Sequence, residues 1–349
     1  MFDTKNTYHY LFAFGLIVMA SFFANSFKQT FEPKNDDYEM IRKYLLNESP
    51  LYGFNRPKLW IHSKYEVNAR QWKSFQSRTS TDLNQPYLHL TINTIINHCG
   101  DDFNICLIDD ETFSHLIPSW DVNVSRLAEP VKSHYRELGM AQLLYIYGGL
   151  VVPNSFICTK NLKELYDSTL SAKQPFVSEN INHSTNLFKQ TKKTAFVPSG
   201  FFMGAPKNDE TIRTLIDYLK KRNLNPHFSS DVEFLGDSAQ WYMEMIRQKQ
   251  LGLLGGDMIG VKTQKQKQIL LEDLMGEEYL DLSPNAYGIY IPGDELLIRT
   301  KYQWFSVLST DEVLKSTAII SKYLMASIVD TNEKNHDKNH GEIRSVISI

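Results

Sequence analysis

Cysteine is scarce in this chain. Its 349 residues hold only Cys99, Cys106 and Cys158, an odd number that leaves at least one thiol unpaired or paired between chains, so no disulfide framework organises the fold. The spacing, without nearby histidines, matches no structural zinc pattern. Cys99 and Cys106 are close enough in sequence to bridge a turn, but buried free thiols are the simpler expectation. Excess charge is missing as well. With 37 Lys and Arg against 40 Asp and Glu the formal net charge is −3, which supplies no global field for nucleic acid or for an anionic membrane. No internal repeat is evident, and only one long apolar run occurs.

There is nevertheless ample material for a core. Apolar residues make up 42% of the chain, enough to bury one large core or two modest ones. The long apolar run lies near the N-terminus: no fixed charge occurs from Asn6 to Phe27, and Tyr10 to Ala24 is nearly continuous apolar sequence between Lys5 and Lys28. That approaches the roughly 20 residues needed to cross a bilayer. Phe22-Phe23-Ala24 is a poor signal-peptidase site, so the run predicts an uncleaved signal anchor over 8–27, with a short tail at 1–7 before it. A stem at 28–55 follows, in which Ile41, Tyr44 and Leu45 share a helical face. The polar stretch 331–349 predicts a mobile tail, which leaves 56–330 for the folded domain. Lys and Arg flanking the span are too balanced to orient it. Triplets at Asn47, Asn123 and Asn182 are glycosylation acceptors if the large part of the chain faces a lumen.

The stretch from Leu143 to Ser155 reads L-L-Y-I-Y-G-G-L-V-V-P-N-S. A helix through Tyr147, broken at Gly148-Gly149 and followed by Leu150-Val151-Val152, carries the chain into a buried strand. Whatever follows that strand sits where open α/β sheets bind ligands. Further strands are expected at Lys58–His62, Asn104–Ile108, 175–178, 194–204, 258–262 and 287–292. Helices are expected from Pro86, with Leu88, Thr91, Ile92, Ile95 and Ile96 on or near one face, at Thr112–Leu116, through Met140, Leu143, Leu144 and Tyr147, and through Ile212, Leu215, Ile216 and Leu219. This alternation predicts an α/β domain with a mostly parallel twisted sheet flanked by helices. Ser309 to Glu312 forms a capping box for a helix beginning near Val313, and Ala318 to Val329 is too short and interrupted for a second span.

These pieces resemble the DXD-type glycosyltransferases of family 32, the group of yeast-type α-mannosyltransferases and capsular sugar transferases. The family pattern runs I-P-K-I-I-H, then an Asp-x-x-Arg helix, then Tyr-Gly-Gly-Ile-Tyr-Leu-Asp-x-Asp. Here Arg56-Pro57-Lys58-Leu59-Trp60-Ile61-His62 matches the opening strand, and Gly200-Phe201-Phe202-Met203-Gly204-Ala205-Pro206 resembles the stretch that lines the acceptor side. The similarity covers about Pro57 to Asn208. It implies a GT-A-like fold and transfer of a sugar, with retention, from a nucleotide sugar to a glycan or lipid-linked acceptor. It also implies a type II membrane protein facing the ER or Golgi lumen. The layout of tail, span and degenerate transferase domain also resembles proteins of large DNA viruses, which would place it in a viral or host membrane. By this resemblance Trp60, His62, Glu137, Gly148, Gly149, Asn154 and Ser155 are nucleotide-sugar-binding candidates and Asp237 is an acceptor-side candidate. No residue stands out as nucleophile or base.

Departures from the pattern carry as much weight as matches. The family's helix Asp is Glu137 here, the Arg three residues on is Met140, and the Asp-x-Asp falls on Pro153, Asn154 and Ser155. In the family those carboxylates hold Mn or Mg against the diphosphate. Pro153 offers no side-chain ligand, and Asn154 and Ser155 offer neutral groups only, so no metal cofactor is expected. Two readings stay open: a metal-independent route in which basic groups carry the diphosphate charge, and a catalytically inactive scaffold kept as a membrane-anchored binding or structural protein.

Several candidates have plainer alternatives. Glu137 either faces a nucleotide or pairs with Arg136 or Lys132. Asp109-Asp110-Glu111 either bind a cation or cap the next helix, and a phosphatase or nuclease built on Asp109 and Asp110 lacks supporting ligands. Asp237 either positions a substrate or caps a helix through Trp241, Met245 and Ile246. Trp60, Trp241 and Trp304 either stack on a sugar or base or belong to the core. The polar run Arg78 to Pro86 is a loop with ligand-binding capacity. Lysines 189, 192 and 193, like lysines 262, 265 and 267, read as solvated loop charges.

Overall fold

Period-two alternation in the first strand decides how the layers form. The computed structural model describes residues 56–63, 85–179, 197–224 and 231–329. The expected anchor, stem and tail, Asn47, Asn182, most of the Arg78 loop and the Lys189 group lie outside them. The chain runs β1 (Lys58–His62), α1 (Tyr87–Cys99), β2 (Asn104–Ile108), α2 (Thr112–Leu116), α3 (Val131–Tyr147), β3 (Gly149–Val151), β4 (Phe156–Cys158), α4 (Lys163–Ala172), β5 (Phe176–Glu179) and β6 (Pro198–Ala205). It continues through α5 (Glu210–Leu224), α6 (Asp231–Arg247), β7 (Gly252–Leu254), α7 (Leu271–Met275), β8 (Gly288–Tyr290), α8 (Gly293–Ile298), α9 (Gln303–Ser306) and α10 (Thr310–Lys315), and ends in a helix over 319–329.

Leu59 and Ile61 of β1 turn to one side of the sheet, where they pack with Ile92, Ile95 and Ile96 of α1 and Leu165 of α4. Trp60 turns to the other and packs with Leu143 and Leu144 of α3 and with Ile212 and Leu215 of α5. β2 divides in the same way, with Ile105 and Leu107 on the first side and Cys106 and Ile108 on the second. The sheet has six strands in the order β2-β1-β3-β6-β5-β7. β1 is parallel to both β2 and β3, β5 is parallel to β7, and β6 runs against β3 and β5. Five strands therefore share a direction and one opposes them, a largely parallel central sheet flanked by helices.

Other expectations need correction. Beside the main sheet, β4 and β8 form a separate antiparallel pair that the hydropathy pattern did not reveal. A third apolar cluster joins Tyr87, Leu88 and Leu90 of α1 to Leu296, Phe305, Val313, Ile320 and Leu324. With a core on two sides, α1 is buried around most of its surface, not along one stripe. No strand spans 258–262; a short 3₁₀ turn at Gly256–Met258 and an isolated bridge from Lys262 to Gln268 stand there. Lys262 is not a solvated charge either, because its Nζ lies 2.5 Å from Glu179 Oε1 with both side chains nearly buried. Lys265 and Lys267 are exposed as expected. α10 starts at Thr310, with Ser309 and Glu312 in the capping box. All three cysteines are free and buried. Among the described residues no helix is long and apolar enough to cross a membrane.

Candidate functional site

The junction between α3 and β3 needs two glycines. Gly148 ends the helix at φ +70°, its N–H on the Leu144 carbonyl at 2.8 Å. Gly149 has φ +112°, and a Cβ there would lie 2.1 Å from the Lys58 carbonyl oxygen of the neighbouring strand, so only glycine lets β3 lie against β1. Trp60 completes the junction by donating its indole N–H to the Gly148 carbonyl at 3.0 Å. These three candidates build the site without lining it. Trp60 is wholly buried and presents no ring face to a ligand, because Leu143, Leu144 and Tyr147 of α3 cover it, while His62 on the same face reaches the strand end.

From β1 the chain passes to β2 on one side and then to β3 on the other, so the connections leaving β1 and β3 diverge at their carboxyl ends and open a crevice. A cavity of about 360 Å³ lies there, inside the roughly 300–1,000 Å³ range of small-molecule sites. His62, Glu137, Asn154 and Ser155 all line it, together with the unexpected Arg136, Tyr87, Phe201 and Tyr290. Four of the residues singled out in the sequence thus converge from β1, α3 and the turn after β3. α6 already begins at Asp231, so Asp237 lies inside the helix and cannot be its N-terminal cap.

One rim of the cavity is a charge network. Arg136 donates Nε to Asp110 Oδ1 at 2.7 Å and an Nη to Oδ2 at 2.6 Å, and reaches Glu129 at 3.2 Å. Asp110 Oδ1 also lies 3.0 Å from His62 Nε2, while the His62 ring stacks on Phe113. Burial opposes ionisation of Asp110, but the bonds from Arg136 and His62 outweigh it and hold this carboxyl well below the usual carboxylate range. Asp109 has a different task. Its Oδ1 accepts from the backbone N–H groups of Glu111 and Thr112 and from the Thr112 hydroxyl, which fixes the start of α2. The two adjacent acids are thus divided between helix entry and ion pairing.

At the back of the cavity Glu137 accepts from the Tyr242 hydroxyl at 2.9 Å. Burial, and then the Glu137 charge, push the Tyr242 hydroxyl well above its ordinary pKa. A Cβ at Gly200 would stand 2.6 Å from that hydroxyl, so the glycine makes room for the contact. Opposite, Phe201 and Tyr290 face one another at 4.5 Å between ring centroids.

The turn after β3 forms the neutral rim. The Asn154 carbonyl accepts from Thr91 Oγ1 at 2.6 Å, and the buried Ser155 donates its hydroxyl to the Ile291 carbonyl at 2.7 Å. A divalent cation does not fit here. Pro153 has no side-chain donor, Asn154 has a neutral one, and the Ser155 oxygen is committed to the β8 side. Among the described residues no cluster of three or more His, Cys, Asp or Glu side chains is disposed to hold a metal. Comparison with family models, curated proteins and solved structures returns no match for this chain.

The lining residues that sequence reasoning missed come from distant segments. Tyr290 lies on β8 and Tyr87, whose hydroxyl donates to Gln85 at 2.9 Å, on α1, while Tyr242 of α6 stands behind Glu137 without lining the cavity. Nothing in the spacing of these tyrosines links them. Arg136 carried the one available signal, a guanidinium beside Glu137 on a helix aimed at the glycine junction.

Proposed function

We propose that the chain is a glycosyltransferase-like protein whose crevice binds the sugar of a nucleotide sugar without a divalent cation, on a GT-A-like scaffold. The observation that carries this reading is the convergence of His62, Glu137 and Asn154 at the carboxyl ends of β1 and β3. In the family that the sequence resembles, the equivalents of Glu137 and of the Pro153–Ser155 turn meet the nucleotide sugar. A carboxylate, an amide and the Phe201–Tyr290 pair supply acceptors, donors and an apolar face, the mixture that a hydroxyl-rich ring requires.

The described lining suits the sugar better than a diphosphate. Arg136 is spent on Asp110 and Glu129, while Glu137 and Asp294 add carboxylates to the wall. No described cation replaces the missing metal, and loss of that electrostatic help weakens transfer far more than binding. This asymmetry favours the second reading, a catalytically inactive scaffold that retains its ligand. If the chain is active, its acceptor is a glycan or lipid-linked sugar, and the sheet order with β6 alone reversed supports the same scaffold in either case.

Calorimetry on the full-length protein separates the alternatives. UDP- and GDP-sugars are titrated with Mn²⁺ and with EDTA, alongside UDP and GDP alone. Equal binding in both conditions, stronger for the nucleotide sugar than for the nucleotide and weakened by Glu137→Gln, is expected. Binding that requires Mn²⁺, or no binding in either condition, contradicts the reading. Restoring carboxylates at Pro153 and Ser155 is a poor test, because position 155 is buried against the Ile291 carbonyl.

A further inference from the structure

Eight large apolar side chains are exposed among the described residues, and half of them fall between positions 297 and 307: Leu297 at 42%, Ile298 at 77%, Trp304 at 43% and Val307 at 50%. The segment is held firmly. Tyr302 and Phe305 are buried beneath it in the third core. The Tyr302 N–H bonds the Arg299 carbonyl at 2.8 Å, and Gln303 Nε2 donates to the Leu297 carbonyl at 2.5 Å, closing α8 onto α9. The outward apolar groups therefore belong to a braced hairpin. Leu297 also lines the cavity, so the apolar face begins where the crevice ends.

The hairpin's own charge is of one sign, and the acid that meets it, the half-exposed Glu272, comes from α7 and pairs with Arg299. Between Glu295 and Asp311 the only charged residues are Arg299 and Lys301. Arg299 is engaged by Glu272 and lies 5.0 Å from the Tyr302 ring centroid, while Lys301 is exposed, its Nζ 5.2 Å from that centroid. An exposed tryptophan, three aliphatic side chains and a lysine with no acid between them match the interface of an anionic bilayer, where indole rings sit at headgroup level and lysine reaches phosphate. A second copy is a poorer fit, since stable protein interfaces need roughly 1,200 Å² or more of buried surface and this face is one short hairpin.

We propose that the hairpin 297–307 is a membrane-docking surface that seats in the headgroup region of an anionic bilayer and brings the cavity mouth to the lipid. Its consequence for chemistry rests on the proposed sugar site: the second ligand of that site is a lipid-linked molecule held in the membrane, not a soluble glycan. The docking itself does not depend on sugar binding.

The test uses full-length protein in nanodiscs of phosphatidylcholine with or without phosphatidylserine, with brominated acyl chains as quenchers of tryptophan emission. Subtracting the emission of Trp304→Phe isolates residue 304. Quenching of Trp304 is expected, stronger with phosphatidylserine and lost in the Ile298→Glu/Val307→Glu double variant, with thermal melting unchanged because both positions are exposed. Lys301→Gln should lower the ratio of docked to undocked protein by about five-fold in the phosphatidylserine discs, the weight of one basic residue near an anionic surface. An unquenched Trp304 in both discs overturns the proposal. So does shielding of Trp304 that appears in detergent and grows with protein concentration, which would assign the face to a second copy. Sugar-nucleotide binding measured in detergent stands or falls separately.

Discussion

The two rims of the crevice are equally well tied down, by opposite means. At the ends of β1 and β2 the ties are charges, with Asp110 gripped by Arg136 and His62. At the end of β3 they are neutral bonds, from Thr91 to the Asn154 carbonyl and from Ser155 to the Ile291 carbonyl. A buried charge network is costly to break and sensitive to pH; a turn held by neutral bonds is neither. The difference teaches that the charge in this site is spent on its own architecture, leaving the neutral rim and Glu137 to meet a ligand.

The sharpest way to break the contrast is Asp110→Asn. It leaves a nearly buried guanidinium with only the half-exposed Glu129, and a loss of about 3–5 kcal/mol is expected, read as a drop in the denaturant midpoint. Acid should act on the same rim. The folded-state pKa of Asp110 is depressed, so the unfolded chain takes up the proton first. The stabilisation is complete above the unfolded value of about 4 and is lost as pH falls through it towards the folded value. A component of the order of 2 kcal/mol should vanish on acidification of the wild type, and Asp110→Asn should lack it.

On the neutral rim the effects shrink. Ser155→Ala removes one buried hydroxyl bond and should cost about 1 kcal/mol, with the same cost at acidic and neutral pH by chemical denaturation. Asn154→Ala should change stability by less than about 0.5 kcal/mol, because only its backbone carbonyl is bonded to Thr91. The same substitution should weaken the sugar ligand about five-fold, the value of one neutral hydrogen bond. A large stability loss from Asn154→Ala, or a strong pH dependence of the Ser155→Ala cost, would erase the distinction between the rims.

Much of the architecture was legible where one periodicity dominated. Lys58–His62, Asn104–Ile108 and Thr112–Leu116 coincide with the expected bounds, as do the four buried positions of α5. Errors arose where tertiary contacts override local pattern. Lys262 is polar by composition yet turns inward to Glu179, and the apolar run around it is therefore no strand. Asp237 is a candidate cap for a helix through Trp241, but α6 begins at Asp231 and carries it into the helix interior. The site was half legible. His62 and Asn154 sit at or just past strand ends and Glu137 one turn before the apolar face of α3, where sequence spacing can place them, whereas Tyr290 reaches the cavity and Tyr242 reaches Glu137 through packing of β8 and α6, which no local signal encodes. Trp60 shows that residue type alone misleads: it shares a face of β1 with His62 but lies two residues further from the strand end, under the apolar cover of α3 and α5.

The most direct measurement is hydrogen exchange of the full-length protein in EDTA, with and without a UDP- or GDP-sugar. Cation-free binding in the crevice predicts slower exchange at residues 150–155 and in the Glu137 turn of α3, with α7 unchanged. Protection that appears only after Mn²⁺ is added, or that falls away from β1 and β3, would contradict it.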